Sequence, residues 1–270
     1  MPSLATSLAR HHVKLTTEST PSWWTVLYDR LKTPKGLEEA CKVVSYSKGW
    51  AENVGPSFGY TPSATFAAAG KAAGQTKNAI SAMSFPTSFA DAASKGRLFL
   101  STAWNEGITA EKTGKAFKDF AQSALGLTSP IYDASEFWEQ RISPLSQATQ
   151  ELIGKINFPA LGTMMAWKAN DEVNNMSSHA LNQSIAKSDA KKEEYGMRYT
   201  LAAVNLVNRL SYVALAVLKI AHLFFAVAVP GWGYLACVTM GLITGVGGHF
   251  YERMNGLDKK PSILGILVRA

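Results

Sequence analysis

The chain has 270 residues, of which 47% are hydrophobic, so it can bury a sizeable core and is not a disordered polymer. Its net charge of +7 is spread along the sequence with no zinc-finger, RNP or basic-helix pattern, and a nucleic-acid partner is not expected. Cys41 and Cys237 are the only cysteines, CxxC and HExxH are absent, and His11-His12 is the only histidine pair, so no disulfide, metal or other cofactor is expected and a reducing compartment suits most of the chain.

Residues 1–21 are rich in Ser and Thr and carry Leu4, Leu8 and Leu15 at loosely helical spacing, with no acid before Glu18. They lack the apolar run of a Sec signal peptide. A disordered tail is the expectation, with an organelle presequence or an uncleaved secretion signal as alternatives. Trp24, Leu27, Tyr28 and Leu31, then Leu37, Ala40, Cys41, Val44 and Ala51, recur at three and four, which predicts two amphipathic helices broken at Thr33-Pro34-Lys35-Gly36. Trp23-Trp24 fits either a core or a membrane surface.

Residues 55–86 combine Gly, Pro, Ser and Ala with few large side chains and read as a linker or a small-residue helix over 67–81. Gly70 and Gly74 do not make a phosphate loop, because Lys71 and Thr76 stand at the wrong offsets. Ser88 is the expected cap of a helix bearing Phe89, Ala92, Ala93, Gly96, Leu100 and Ala103, and Thr109 opens the next, which ends at Gly126. Asp133 and Glu136 form a capping-box pattern, and Ser143-Pro144 reads as an N-cap followed by a first-turn proline. A further helix is expected to start at Pro159, and Asp189 is expected to cap the long helix that follows. No stretch alternates at period two for long enough to form a strand.

Between 210 and 229 the apolar run is interrupted only by Ser211, Lys219 and His222, and a second run from 232 to 250 contains no acid, lysine or arginine. Each is close to the roughly 20 residues that cross a bilayer core, and Pro230 and Gly231 between them form a reversal. The reading is all-α: a helical cytosolic domain (22–186) with a C-terminal two-helix transmembrane hairpin (187–253) and a basic tail (254–270). Lys191, Lys192, Arg198 and Arg209 precede the hairpin, Arg253, Lys259, Lys260 and Arg269 follow it, and the turn is uncharged, which places both ends on the cytoplasmic side. Gly241, Gly245 and Gly248 offer small-residue packing, as the hairpin's internal seam or as a homo-oligomer contact. Asn205, Asn208, Arg209, Tyr212, Lys219 and His222 share one sector of the first span, either as a polar track or as groups that snorkel and bond within the bundle. A hairpin buried in a soluble bundle is the third reading of this segment.

Glu38-Glu39, Asp171-Glu172 and Glu193-Glu194 point apart on helices and make no acid and base pair. Ser63, Ser143 and Ser178 lack nucleophile context. An enzyme is not expected. Asn175 and Asn182 sit in glycosylation-like triplets on the side assigned to the cytoplasm, where that modification does not occur.

The two lobes at 210–229 and 232–250, joined at Pro230-Gly231 and preceded by a Ser/Thr-rich start, resemble the bilobed hairpin of chlamydial inclusion-membrane proteins. That resemblance implies type III secretion, insertion into a host-derived vacuole membrane and recruitment of host proteins. The stretches GLEEACKVVSYSKGW and DAASKGRLFL, with the Gly-rich terminal segment, are also similar to the peroxisomal membrane-elongation family. The expected function is therefore an integral-membrane interaction protein whose partners are the lipid bilayer and another protein. The alternatives are an oligomeric channel or transporter using the polar stripe, and a soluble helical bundle.

Overall fold

A computed structural model describes residues 21–258, and within them the chain is all-α, with no strand. The expected N-terminal tail, apart from Pro21, and the basic tail beyond Asp258 lie outside the described residues. The helices are α1 (Trp23–Leu31), α2 (Pro34–Asn53), α3 (Ala64–Met83), α4 (Phe85–Glu106), α5 (Glu111–Gly126), α6 (Thr128–Arg141), α7 (Gln147–Ile185), α8 (Asp189–Phe225) and α9 (Gly231–Met254).

Short polar caps start several of them. The hydroxyls of Ser22, Thr33, Ser63, Ser146 and Ser188 accept from the backbone amides of Thr25, Gly36, Phe66, Thr149 and Lys191, each satisfying one orphan donor of a first turn. α1 is tied to α2 by the Arg30 guanidinium, which donates to both carboxylate oxygens of Glu39 at 2.9 and 2.6 Å.

The frame of the molecule is the antiparallel pair α7 and α8. At 37 residues α8 is about 55 Å long, and α7 runs beside it for most of that length. Gly196 faces Gln183, Gly162 faces Ala216 and Gly154 faces Leu223, so the register holds across the whole pair. α9 returns along the other flank of α8, and α2 runs along α9: Trp50 Nε1 donates to Thr239 Oγ1 at 2.9 Å, and Gly49 and Asn53 lie against Leu235 and Gly231. α3 covers α2 with Gly70 against Lys48 and Gly74 against Ser45. α6 closes the space between α3 and α7, its Asp133 accepting from Lys77 and Ser81. The core lies where α5, α6, α7 and α8 meet, with Phe158, Leu161 and Met164 surrounded by Leu125, Tyr132, Ile220 and Leu223.

Several local expectations are corrected. The stretch 55–86 is no plain linker: after a 3-10 turn (Gly55–Phe58) it is the packed helix α3. α4 begins at Phe85, ahead of Ser88, with Pro86 in its first turn, and α5 begins at Glu111, after Thr109. Asp133 and Glu136 cap nothing, since α6 has already begun at Thr128, and their carboxylates reach across to α3. Ser146 rather than Ser143 caps α7, and Pro159 lies inside α7 instead of starting a helix. Ser188 rather than Asp189 caps α8. Cys41 and Cys237 are both free.

Candidate membrane-facing site

α8 and α9 are long and apolar enough to cross a bilayer. The first ends at Phe225, not at Val229. Ala226 takes a left-handed conformation (φ 51°) and the amide of Val227 bonds back to the Ala221 carbonyl at 3.2 Å, which terminates the helix before the proline is reached. Residues 226–230 then connect to α9, where Pro230 is the N-cap and Gly231 the first helical residue, with the side-chain amide of Asn53 packed against it.

The seam between α8 and α9 is made of small and amide side chains. A Cβ at Gly241 would come within 2.8 Å of the Tyr212 ring, one at Gly245 within 3.2 Å of Asn208 Nδ2, and one at Gly248 within 3.3 Å of Asn205 Oδ1. The absence of side chains lets the backbones approach. Asn208 uses the space, its Nδ2 donating to the Gly241 carbonyl at 2.6 Å and to Thr244 Oγ1 at 3.3 Å. The structure thus turns Asn205, Asn208 and Tyr212 into the hairpin's own interface.

Lys219 lies between rings, 4.4 Å from the centre of Tyr234 and 5.5 Å from that of Phe158. Arg209 Nη1 donates to Oδ1 of its own neighbour Asn208 at 3.3 Å, and its charge is felt by Lys168 on α7. His222 stands outside, with Nδ1 3.1 Å from the Val227 carbonyl in the connector. The polar residues that share one sector in sequence therefore divide among a seam, an aromatic cradle and a helix end.

The opposite side of α8 carries Val207, Leu210, Ala214, Val217 and Phe224, spaced at three, four and seven, all open to solvent. Trp232, Met240 and Ile243 on α9 and Leu152 and Ile156 on α7 are exposed as well. Val217 is 57% and Ile243 62% exposed. Only 28% of the most apolar window of α8 and 17% of that of α9 is buried, so these helices are not the covered core of the bundle. Exposed apolar side chains on helices of this length suit contact with a membrane or another protein.

Two features of this site escape sequence reading. One is the contribution of α7, whose only signal is the small pair Gly154 and Gly162 facing α8. The other is α2, a charged helix alongside α9: the Glu38 and Lys42 ion pair (2.5 Å) stands level with Tyr212, halfway along the hairpin. Burial alone would lower the Lys42 ammonium, but the adjoining Glu38 carboxylate overrides this and holds its pKa above the ordinary lysine value. Trp23 and Trp24 stack on each other at 3.7 Å and remain exposed, outside the core. Among the described residues no group of three or more His, Cys, Asp or Glu is placed to hold a metal. No family model matches the chain, and neither a curated protein nor a solved structure is significantly similar to it.

Proposed function

We propose that this is a membrane-anchored helical protein of non-enzymatic type, which enters the bilayer through α8 and α9 and presents its remaining helices to a protein partner. The observation that carries the reading is the uncovered apolar face of Val207, Leu210, Val217, Phe224, Trp232, Met240 and Ile243 on helices of membrane-spanning length. The exposed tip between α4 and α5, where Leu100, Trp104 and Ile108 project into solvent, supports partner recruitment. Basic residues at the end of the hairpin away from its connector support a topology with both ends cytoplasmic. The hairpin's likeness to inclusion-membrane proteins supports a vacuolar membrane as the target.

The charges on α2 set a condition. A lysine or glutamate at the centre of a bilayer costs about 3 kcal/mol on insertion scales, and Glu38, Lys42, Lys48 and Glu52 all lie on the helix that runs along α9. Full insertion of the hairpin therefore requires α2 to leave α9. The same charges favour a second reading, in which the intact bundle lies on the membrane by its apolar face. Carbonate extraction combined with single-cysteine labelling at Gly231 and Asn255 separates the two. A spanning hairpin stays in the pellet with the two positions labelled from opposite sides. A face-on bundle is released, and a protein that never sediments with vesicles refutes both.

A further inference from the structure

A solvent-open cavity of about 450 Å³ lies between α4, α5 and α7. Its polar wall is Thr87, Ser88, Lys95, Gln122, Ser123 and Lys168, over a floor that includes Met164. One acid faces it, Asp91, and that carboxylate is already occupied: Lys95 Nζ donates to it at 2.7 Å and Ser123 Oγ at 2.8 Å. These bonds hold the Asp91 carboxyl below its ordinary pKa.

The donors around the cavity outnumber their acceptors. Lys168 has no carboxylate within ion-pair distance among the described residues. Burial, followed by the cations of Arg209 and Lys95, pushes its pKa down, the mark of an ammonium that lacks an anion. Gln122 Nε2 is shielded from solvent without a hydrogen-bond partner. A buried unpaired donor of this kind is costly, and one small oxyanion would satisfy it together with the Lys168 ammonium.

We propose that this cavity binds a phosphate group, with Lys168 as its principal cation, Lys95 as the second, and the Gln122 amide and the Ser88 and Thr87 hydroxyls as donors to its oxygens. Phosphate presents several strong acceptors and two lysines bind it as point charges. The group comes from an anionic phospholipid headgroup or from free phosphate. The headgroup source rests on the face-on reading above, in which the intact bundle stays at the membrane surface, where basic pockets between helices take anionic lipids. The phosphate site itself does not depend on it.

The test uses the full chain in two assays: flotation with phosphatidylcholine vesicles with or without phosphatidic acid, and thermal unfolding in detergent with inorganic phosphate against chloride at equal ionic strength. Lys168→Gln is compared with Lys168→Arg and with Lys187→Gln, which removes the same charge from the exposed turn between α7 and α8. The expected result is an about fivefold loss of binding to phosphatidic acid vesicles in K168Q, recovery in K168R and no change in K187Q. If free phosphate neither competes nor raises the unfolding temperature, the headgroup is the ligand. If it does both for the wild type but not for K168Q, free phosphate is. Equal behaviour of K168Q and K187Q in both assays overturns the site. Failure of the wild type to float with any vesicle refutes the membrane reading alone, because the phosphate-dependent shift is read separately.

Discussion

Asn208 Nδ2 donates to the main-chain carbonyl of Gly241 at 2.6 Å, across a seam that a side chain at position 241 would close. Asn208 is buried, and the bond joins the two candidate spans near their midpoint. Loss of the amide in Asn208→Ala is expected to weaken the hairpin by about 1 kcal/mol, and Gly241→Leu to weaken it by about 1–3 kcal/mol by forcing Tyr212 aside. Unfolding of the protein in mixed detergent micelles measures both. An unchanged midpoint for both variants would show that the seam contributes nothing to pairing.

The relation between α2 and α9 yields a second expectation. With Cys41 and Cys237 replaced by serine, the double variant Gly49→Cys, Leu235→Cys places a disulfide across the contact in which a Gly49 Cβ would lie 3.6 Å from Leu235 Cγ. The oxidised protein keeps the Glu38 and Lys42 pair beside the hairpin and is expected in the carbonate supernatant. Reduction is expected to return it to the pellet. Equal carbonate resistance in both redox states would mean that α2 stays with α9 in the membrane.

The helical class and the two long apolar segments were legible because they are local properties: apolar spacing, length and the absence of charge over 232–250. The hairpin glycines were legible for the same reason, as spacing alone places Gly241, Gly245 and Gly248 on one face. What was not legible was set by contacts distant in sequence. Asp133 and Glu136 have the spacing of a cap but are drawn to Ser81, Lys77 and Asn78. The polar sector of α8 reads as one stripe because a helical wheel does not show that α9, Tyr234 and α7 approach from different directions. The course of α2 along α9, and the donors gathered around Lys168 from three helices, have no local signature at all.

Pro159 is where local and tertiary signals compete most directly. It removes a backbone donor inside α7, and an interior proline costs about 3 kcal/mol in an unsupported helix. Yet the helix continues, because its neighbours Phe158, Ala160 and Leu161 are buried and Gly154 and Gly162 dock on Leu223 and Ala216. Pro159→Ala is therefore expected to raise the unfolding free energy by about 1–3 kcal/mol, seen as a higher melting temperature by circular dichroism. A lower one would show that the proline's geometry is needed for the packing of α7 on α8.

The far half of the α7 and α8 pair holds a histidine that resists protonation. His179 stacks near Tyr195 with ring centres 6.3 Å apart, and its Nδ1 is shielded and unbonded. Burial, reinforced by Arg198 and opposed by Glu172, lowers its pKa below the ordinary 6.5. The unfolded chain then binds a proton more readily than the folded one, so stability rises with pH across this interval. Above about pH 6.5 the ring is neutral in both states and contributes no pH dependence. As pH falls from there through the lowered folded value, protonation penalises the folded pair. Protection factors over residues 176–198, which correct for the intrinsic pH dependence of exchange, are expected to fall below about pH 6.5. In His179→Gln, which cannot charge, that loss of protection should disappear. Its persistence in that variant would assign the acid response to another group.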